Sequence, residues 1–196
     1  MPCEGPRPLV ELPIAGRARA TRGTRRPWRP CGRMVLLAAL IAMLAFQNNA
    51  AVNAILLKAA AEARMTLAAN PRRLGAEIGV VAVLHTWGQA LTHHPHIHCV
   101  VPGGGLSFDG AQWVAGRATF FLPVKPLSRL FRRLFLERLK AAFDAGTLGF
   151  FGDLAHLAEP TAFATHLSPI RQVNWVVCVK KPFAGPAQML ASPDRY

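Results

Sequence analysis

The sequence predicts a mixed α/β (α+β) fold, and three features of it carry that expectation. Short apolar runs rich in β-branched residues, Ile78 to Trp87, His96 to Val101 and Val173 to Val179, have the length and composition of buried strands. Two longer stretches, Gln47 to Ala69 and Ser128 to Ala145, repeat apolar residues at helical spacing. Between them lie Asn70-Pro71, Pro102-Gly103-Gly104-Gly105 and Asp109-Gly110, clusters that stop helices and turn strands. At 196 residues with 52% apolar content the chain can bury a core, which excludes global disorder and suits one domain.

Residues 1–33 are set apart. They hold eight arginines and six prolines with no apolar face, and are expected to form a basic, disordered arm that either contacts DNA backbone or has no role. The folded unit is expected over 34–196. Met34 to Phe46 is almost wholly apolar, yet shorter than the roughly 20 residues of a membrane span. Its position suits neither a signal peptide nor an anchor, so a buried strand over Met34 to Leu40 is expected and no membrane role.

The next stretch reads as a helix with Val52, Ile55, Leu56, Ala59, Ala60 and Ala63 on one face. It stops at Asn70, because a residue before proline avoids helical geometry. Two strands joined by a polar connection follow, and then a hairpin around Asp109-Gly110. The clearest helix begins at Ser128. Leu127, Leu130, Phe131, Leu134, Leu139 and Phe143 form its apolar stripe, and Gly146 stands where a left-handed residue closes a helix. A short helix, the strand at 173–179 and a last helix starting at Gly185-Pro186 complete the order.

Lys and Arg exceed Asp and Glu by thirteen. Such an excess favours a polyanionic partner, either nucleic acid or an anionic membrane surface. Arg129, Arg132, Arg133 and Lys140 on the solvated side of the second helix either keep it soluble or contact a phosphate backbone. Given the net charge, they are the preferred DNA-binding candidates. Trp87, Trp113 and Trp175 are either core residues or platforms for bases. Cys3, Cys31, Cys99 and Cys178 form no C-x-x-C pair, so a zinc ribbon is unsupported and reduced thiols in a cytoplasm are the simplest reading.

Five of the seven histidines fall between 85 and 98. His96 and His98 stand two apart in a strand and therefore share a face, with β-carbons roughly 6–7 Å apart. An antiparallel preceding strand brings His85 near them as a third nitrogen. The pattern reads either as histidines on a sheet face or as a metal site, which imidazole makes better suited to manganese, zinc or iron than to magnesium.

The run LHTWGQALTHHPHIHCVVPGGGLS at 84–107 resembles the signature of rolling-circle insertion-sequence transposases of the two-tyrosine HUH class, named for His-hydrophobic-His, here His96-Ile97-His98. AFQNNAAVNAILLKAAAEA, NPRRLGAEIG, FFLPVKPLSRLFRRLFLERLKAAF and the WVV…KPF…GP…Q segment are similar as well, so the resemblance spans roughly 34–196. It implies a central antiparallel sheet flanked by helices, and a divalent metal cation, manganese or magnesium, held by His96, His98 and His85. It also implies single-stranded DNA at transposon ends as the partner, with no small-molecule substrate. A tyrosine would be the nucleophile, leaving a 5′-phosphotyrosine and a free 3′-hydroxyl.

The family helix carries two tyrosines four residues apart. Here Ser192 occupies the first position, Tyr196 the second, and Pro193 falls between them. The family also begins with a cysteine-rich zinc module that residues 1–33 do not resemble. These departures lead to the expectation of a truncated, degenerate copy, with a catalytically inactive DNA-binding remnant as the alternative to a working enzyme.

Overall fold

The computed structural model describes residues 10–14, 32–87, 93–116, 122–173, 175 and 177. In chain order they form β1 (Val10–Ile14), α1 (Gly32–Gln47), α2 (Asn49–Ala69), β2 (Val81–Trp87), β3 (His93–Val101), β4 (Gly104–Leu106), β5 (Trp113–Ala115), α3 (Val124–Asp144), a 3₁₀ helix at Gly152–Ala158 and α4 (Pro160–Gln172). The class is mixed α+β, with two small antiparallel sheets.

The strand expected at Met34 to Leu40 is instead helix, the body of α1. Its run of Leu, Ala and Met is unbranched at Cβ and loses little rotamer freedom in a helix, whereas Val35 and Ile41 are its only β-branched members. A continuous apolar run carries no period to tell the two apart. α1 and α2 meet at Asn48 with a bend of 120°. Among the described residues no single helix is long and apolar enough to cross a membrane.

Two amide side chains hold that corner. Asn48 donates from Nδ2 to the Leu44 carbonyl (3.2 Å) and the Gly149 carbonyl (2.9 Å), and its Oδ1 accepts from the Gly149 amide (2.7 Å). Gln47 pairs in the same manner with both backbone groups of Phe151. The start of α2 is thereby tied to the segment that follows α3.

β3 is the middle strand of the larger sheet, antiparallel to β1 on one side and β2 on the other. Ile97, Cys99 and Val101 point into the core, where α1 and α2 pack against the sheet. The six α2 residues expected on one face are all buried. Three are alanines, and α2 packs against α3 as well as the sheet. β1 comes from the arginine- and proline-rich N-terminal segment and was not expected. Its VELPI alternates apolar residues with period two, and its proline suits the edge position that it occupies.

α3 begins four residues earlier than expected, at Val124, and buries Leu127, Ser128, Phe131, Leu134, Phe135, Leu136 and Leu139. It closes at Gly146 (φ +66°), whose amide bonds to Phe143 while the Thr147 amide bonds to Ala142, the paired pattern of a Schellman end. Trp175 lies against the rings of Phe131 and Phe135 at 5.1 Å each. Ser128 donates to the Trp175 carbonyl, and the Trp175 indole donates to that of Ile170. This tryptophan is therefore a packing residue. Of the strand expected at 173–179, only Val173, Trp175 and Val177 fall among the described residues, and the helix expected from Gly185-Pro186 lies outside them.

Arg64 is an anomaly of this core. It is fully buried on α2, donates to the Ala60 carbonyl from Nη1, and has no partner for Nε or Nη2. Burial lowers its pKa and raises that of the neighbouring Cys99 thiol.

Candidate metal centre

The register of β2 against β3 builds the site. Val81 lies opposite Val100, Val83 opposite His98, and His85 opposite His96. Residues paired across a ladder share a face. All six side chains therefore stand on the face of the sheet away from Ile97 and Cys99. That face has an apolar half, where Val81 is 64% exposed and Val83 48%, and an imidazole half. The register slips between His85 and Trp87, a bulge directly beside the histidines.

The three rings converge. Their centroids are 4.4 Å apart for His85 and His98, 5.0 Å for His96 and His98, and 5.3 Å for His85 and His96. One nitrogen from each lies within 4.8 Å of the others. Two imidazole nitrogens on one ion cannot stand more than about 4.2 Å apart, twice the usual metal–nitrogen length. The trio is thus within small side-chain rotations of a tridentate site. His98 is only 6% exposed and His85 and His96 are half-buried, so a bound ion would be shielded on one side and open on the other. The donor set fits a divalent cation of the manganese–zinc series, all nitrogen and no thiolate.

Other candidate residues are more scattered. Arg129 and Arg133 are exposed on α3, and Arg133 forms an i,i+4 pair with Glu137 at 3.7 Å. Lys140 is bound by Asp144 at 2.6 Å, and Arg132 donates to the Val173 carbonyl. Arg138 joins Glu62 across the α2–α3 contact. Of the four DNA-binding candidates, only Arg129 has no partner among the described residues. Tyr196, Ser192 and Pro193 lie outside the described residues, as do Cys3, Cys31 and Cys178.

Sequence reasoning missed two features near this site. One is β1, whose Pro13 falls opposite His98 in the register. The other is the bulge after His85. The period-two alternation of VELPI could have revealed the first, and Pro95, which stands in β3 where the register slips, the second.

The sequence pattern of the family described as "Putative transposase" (Y2_Tnp) matches residues 79–196, more than half of the chain and all of the histidine-bearing hairpin. A protein of Sinorhizobium fredii (strain NBRC 101917 / NGR234) named "Putative transposase y4qJ" is 61% identical over 156 residues, covering 80% of this chain and 39% of its own length. The "Transposase for insertion sequence element IS801" of Pseudomonas savastanoi pv. phaseolicola is 44% identical over 39 residues, 20% of this chain and 10% of its own. The chain thus spans about two fifths of the longer-matching relative. No solved structure matches. With the family pattern running through both histidine strands, the chain belongs to the Y2_Tnp family of transposases.

Proposed function

We propose that this chain carries the reaction centre of a transposase that nicks and rejoins single-stranded DNA, in which His85, His96 and His98 hold a divalent cation and Tyr196 is the nucleophile. The observation that supports it best is the convergence of three imidazoles on one partly open sheet face. When bound, a divalent cation polarises the scissile phosphate and stabilises the charge that builds up in its transition state.

The residues of the chain do the rest. A phenol has an ordinary pKa of about 10, so Tyr196 must lose its proton as it attacks. Its oxygen forms a bond to phosphorus, the bond from phosphorus to the 3′-oxygen breaks, and that oxygen leaves as a hydroxyl. The 5′-phosphate remains on the tyrosine until a second 3′-hydroxyl reverses the step. Arg129, with Arg133 and Lys140 after exchanging their carboxylate partners, would contact the backbone of the strand. Arg132 is already committed to the Val173 carbonyl.

A second reading, a DNA-binding chain without turnover, is favoured by Ser192 and Pro193, which replace a tyrosine and interrupt a helix in the resemblance. One experiment separates the two. A 3′-end-labelled single strand spanning an element terminus is incubated with the protein and manganese, and then denatured. The proposal expects a covalent adduct that disappears in Tyr196→Phe and in His96→Ala/His98→Ala. Salt-sensitive binding with no adduct supports the second reading.

A further inference from the structure

Three features in and around the second sheet have no part in that reaction: the glycine run 103–105, Trp113 and the Asn70-Pro71-Arg72-Arg73 turn. The structure joins them. Leu106 and Glu77 exchange both backbone hydrogen bonds at 2.8 Å, so the β4–β5 hairpin is fixed to the segment leaving α2. Gly105 permits this approach, since a Cβ there would come within 2.3 Å of the Glu77 carbonyl oxygen. A Cβ on Gly104 would lie 2.9 Å from the Trp113 ring. The indole therefore rests on bare backbone on one side, and it is 50% exposed. Leu106, 48% exposed, is its partner across the ladder, and Phe108, 59% exposed, lies in the turn of the same hairpin.

Cations are held nearby. Asn70 accepts the Arg72 amide through Oδ1 (2.9 Å) and the Arg73 amide through its carbonyl (2.8 Å), and Gly75 (φ +68°) returns the chain toward Glu77. Arg73 stands four positions before the bridge residue Glu77, a backbone reach of at most about 14 Å. Both arginines are exposed, and neither guanidinium has an ion-pair partner among the described residues. Two carboxylates are close. Glu77 is exposed, while Asp109 is committed to its own turn, accepting from Ser107 Oγ and the Ala111 amide. The latter bonds also lower its pKa, the Ser107 bond first.

An aromatic ring with one open face, a second exposed ring and two unpaired guanidinium groups are the chemistry that stacks bases and neutralises phosphates. We infer that the β4–β5 hairpin and the Arg72-Arg73 turn form a second binding station for single-stranded DNA, tolerant of sequence and separate from the histidine site. The choice of DNA as the occupant rests on the proposed function: the net charge of +13 calls for a polyanion, and two exposed rings suit one that carries stackable bases.

The test is binding of the full chain to fluorescent oligo(dT), followed by anisotropy across a salt series without added metal. Phe108→Ala and Trp113→Ala should each weaken affinity at least about fivefold. Trp113→Phe, which keeps a ring on Gly104, should bind within about twofold of the parent. Arg72→Gln/Arg73→Gln should lower the slope of log affinity against log salt by about 1.4, two contacts at about 0.7 each. Circular dichroism confirms folding of each variant, and Phe108→Ala, at an exposed turn position, keeps the test valid should Trp113→Ala unfold. Unchanged affinity in Phe108→Ala with an unchanged slope in the arginine variant overturns the inference, as does equal loss for duplex DNA of the same length. Loss of oligo(dT) binding in these variants when the parent forms no covalent adduct would sink the nicking proposal and leave this one standing. Adduct formation with unaltered oligo(dT) binding would do the reverse.

Discussion

Replacing Arg64 by methionine should make the protein more stable. The guanidinium is fully buried in the α2 core with two donors that meet no acceptor. Each buried, unsatisfied donor costs about 1–3 kcal/mol. Against that stands one hydrogen bond to the Ala60 carbonyl, which belongs to the helix ladder in any case and is worth about 1 kcal/mol net. Methionine fills much of the same volume with no polar atoms. Buried charges replaced by apolar residues of similar size are typically neutral to about 4 kcal/mol more stable, so a gain of about 1–4 kcal/mol is expected. At about 2–4 °C per kcal/mol for a chain of this size, the melting temperature should rise by roughly 2–16 °C. Arg64→Ala is the control for packing: it removes the charge but leaves a cavity, and should fall about 2–5 kcal/mol below the methionine variant. Urea unfolding at pH 7, with the slope m checked for constancy, measures both. An Arg64→Met protein less stable than the parent by more than about 1 kcal/mol would refute the reasoning and mean that the guanidinium has a partner worth its burial.

Two further predictions concern the packing of the helices. Burial holds His166 of α4 below the ordinary histidine range, opposed by a hydrogen bond with the Leu40 backbone and assisted by nearby His156. Because the folded value is lowered, the unfolded chain takes up this proton first. Stability should therefore fall as pH drops below about 6.5. Urea midpoints from pH 8 to 5 should show the parent losing ground to His166→Gln over that range, and a parent that gains ground instead would contradict it. Asn48→Ala removes three hydrogen bonds at the α1–α2 corner and strands the Gly149 amide, a loss of about 1–3 kcal/mol by the same unfolding assay. Gln47→Ala, whose bonds to Phe151 are exposed to water, should cost less than about 1 kcal/mol, and equal losses would mean that the corner is not held by Asn48.

How much of this was legible in the sequence depends on whether a period was present. The α2 and α3 stripes repeat at helical spacing, and the core positions they marked are buried, apart from Leu130 and Phe143 at its margin. The histidine trio followed from two facts, alternation along β3 and an antiparallel neighbour, and the rings do converge. α1 was misread because a uniformly apolar run has no period to read. The basic face of α3 looked more available than it is, since Glu137 and Asp144 lie one turn beyond Arg133 and Lys140, a spacing visible in the sequence. Arg132 and Arg138 find partners distant in sequence, Val173 and Glu62, which no local pattern announces. The same holds for the Asn48 clamp, which joins residues 101 apart.

The central claim is that His85, His96 and His98 act as one ligand set. Pulsed electron paramagnetic resonance of the manganese-loaded full chain tests it most directly, because nitrogen couplings report imidazoles on the ion without any need for turnover. A bound ion coupled to several imidazole nitrogens is expected, with those couplings lost in His96→Ala/His98→Ala. Manganese that remains surrounded by water alone in the parent protein, or couplings that survive the double substitution, would contradict it.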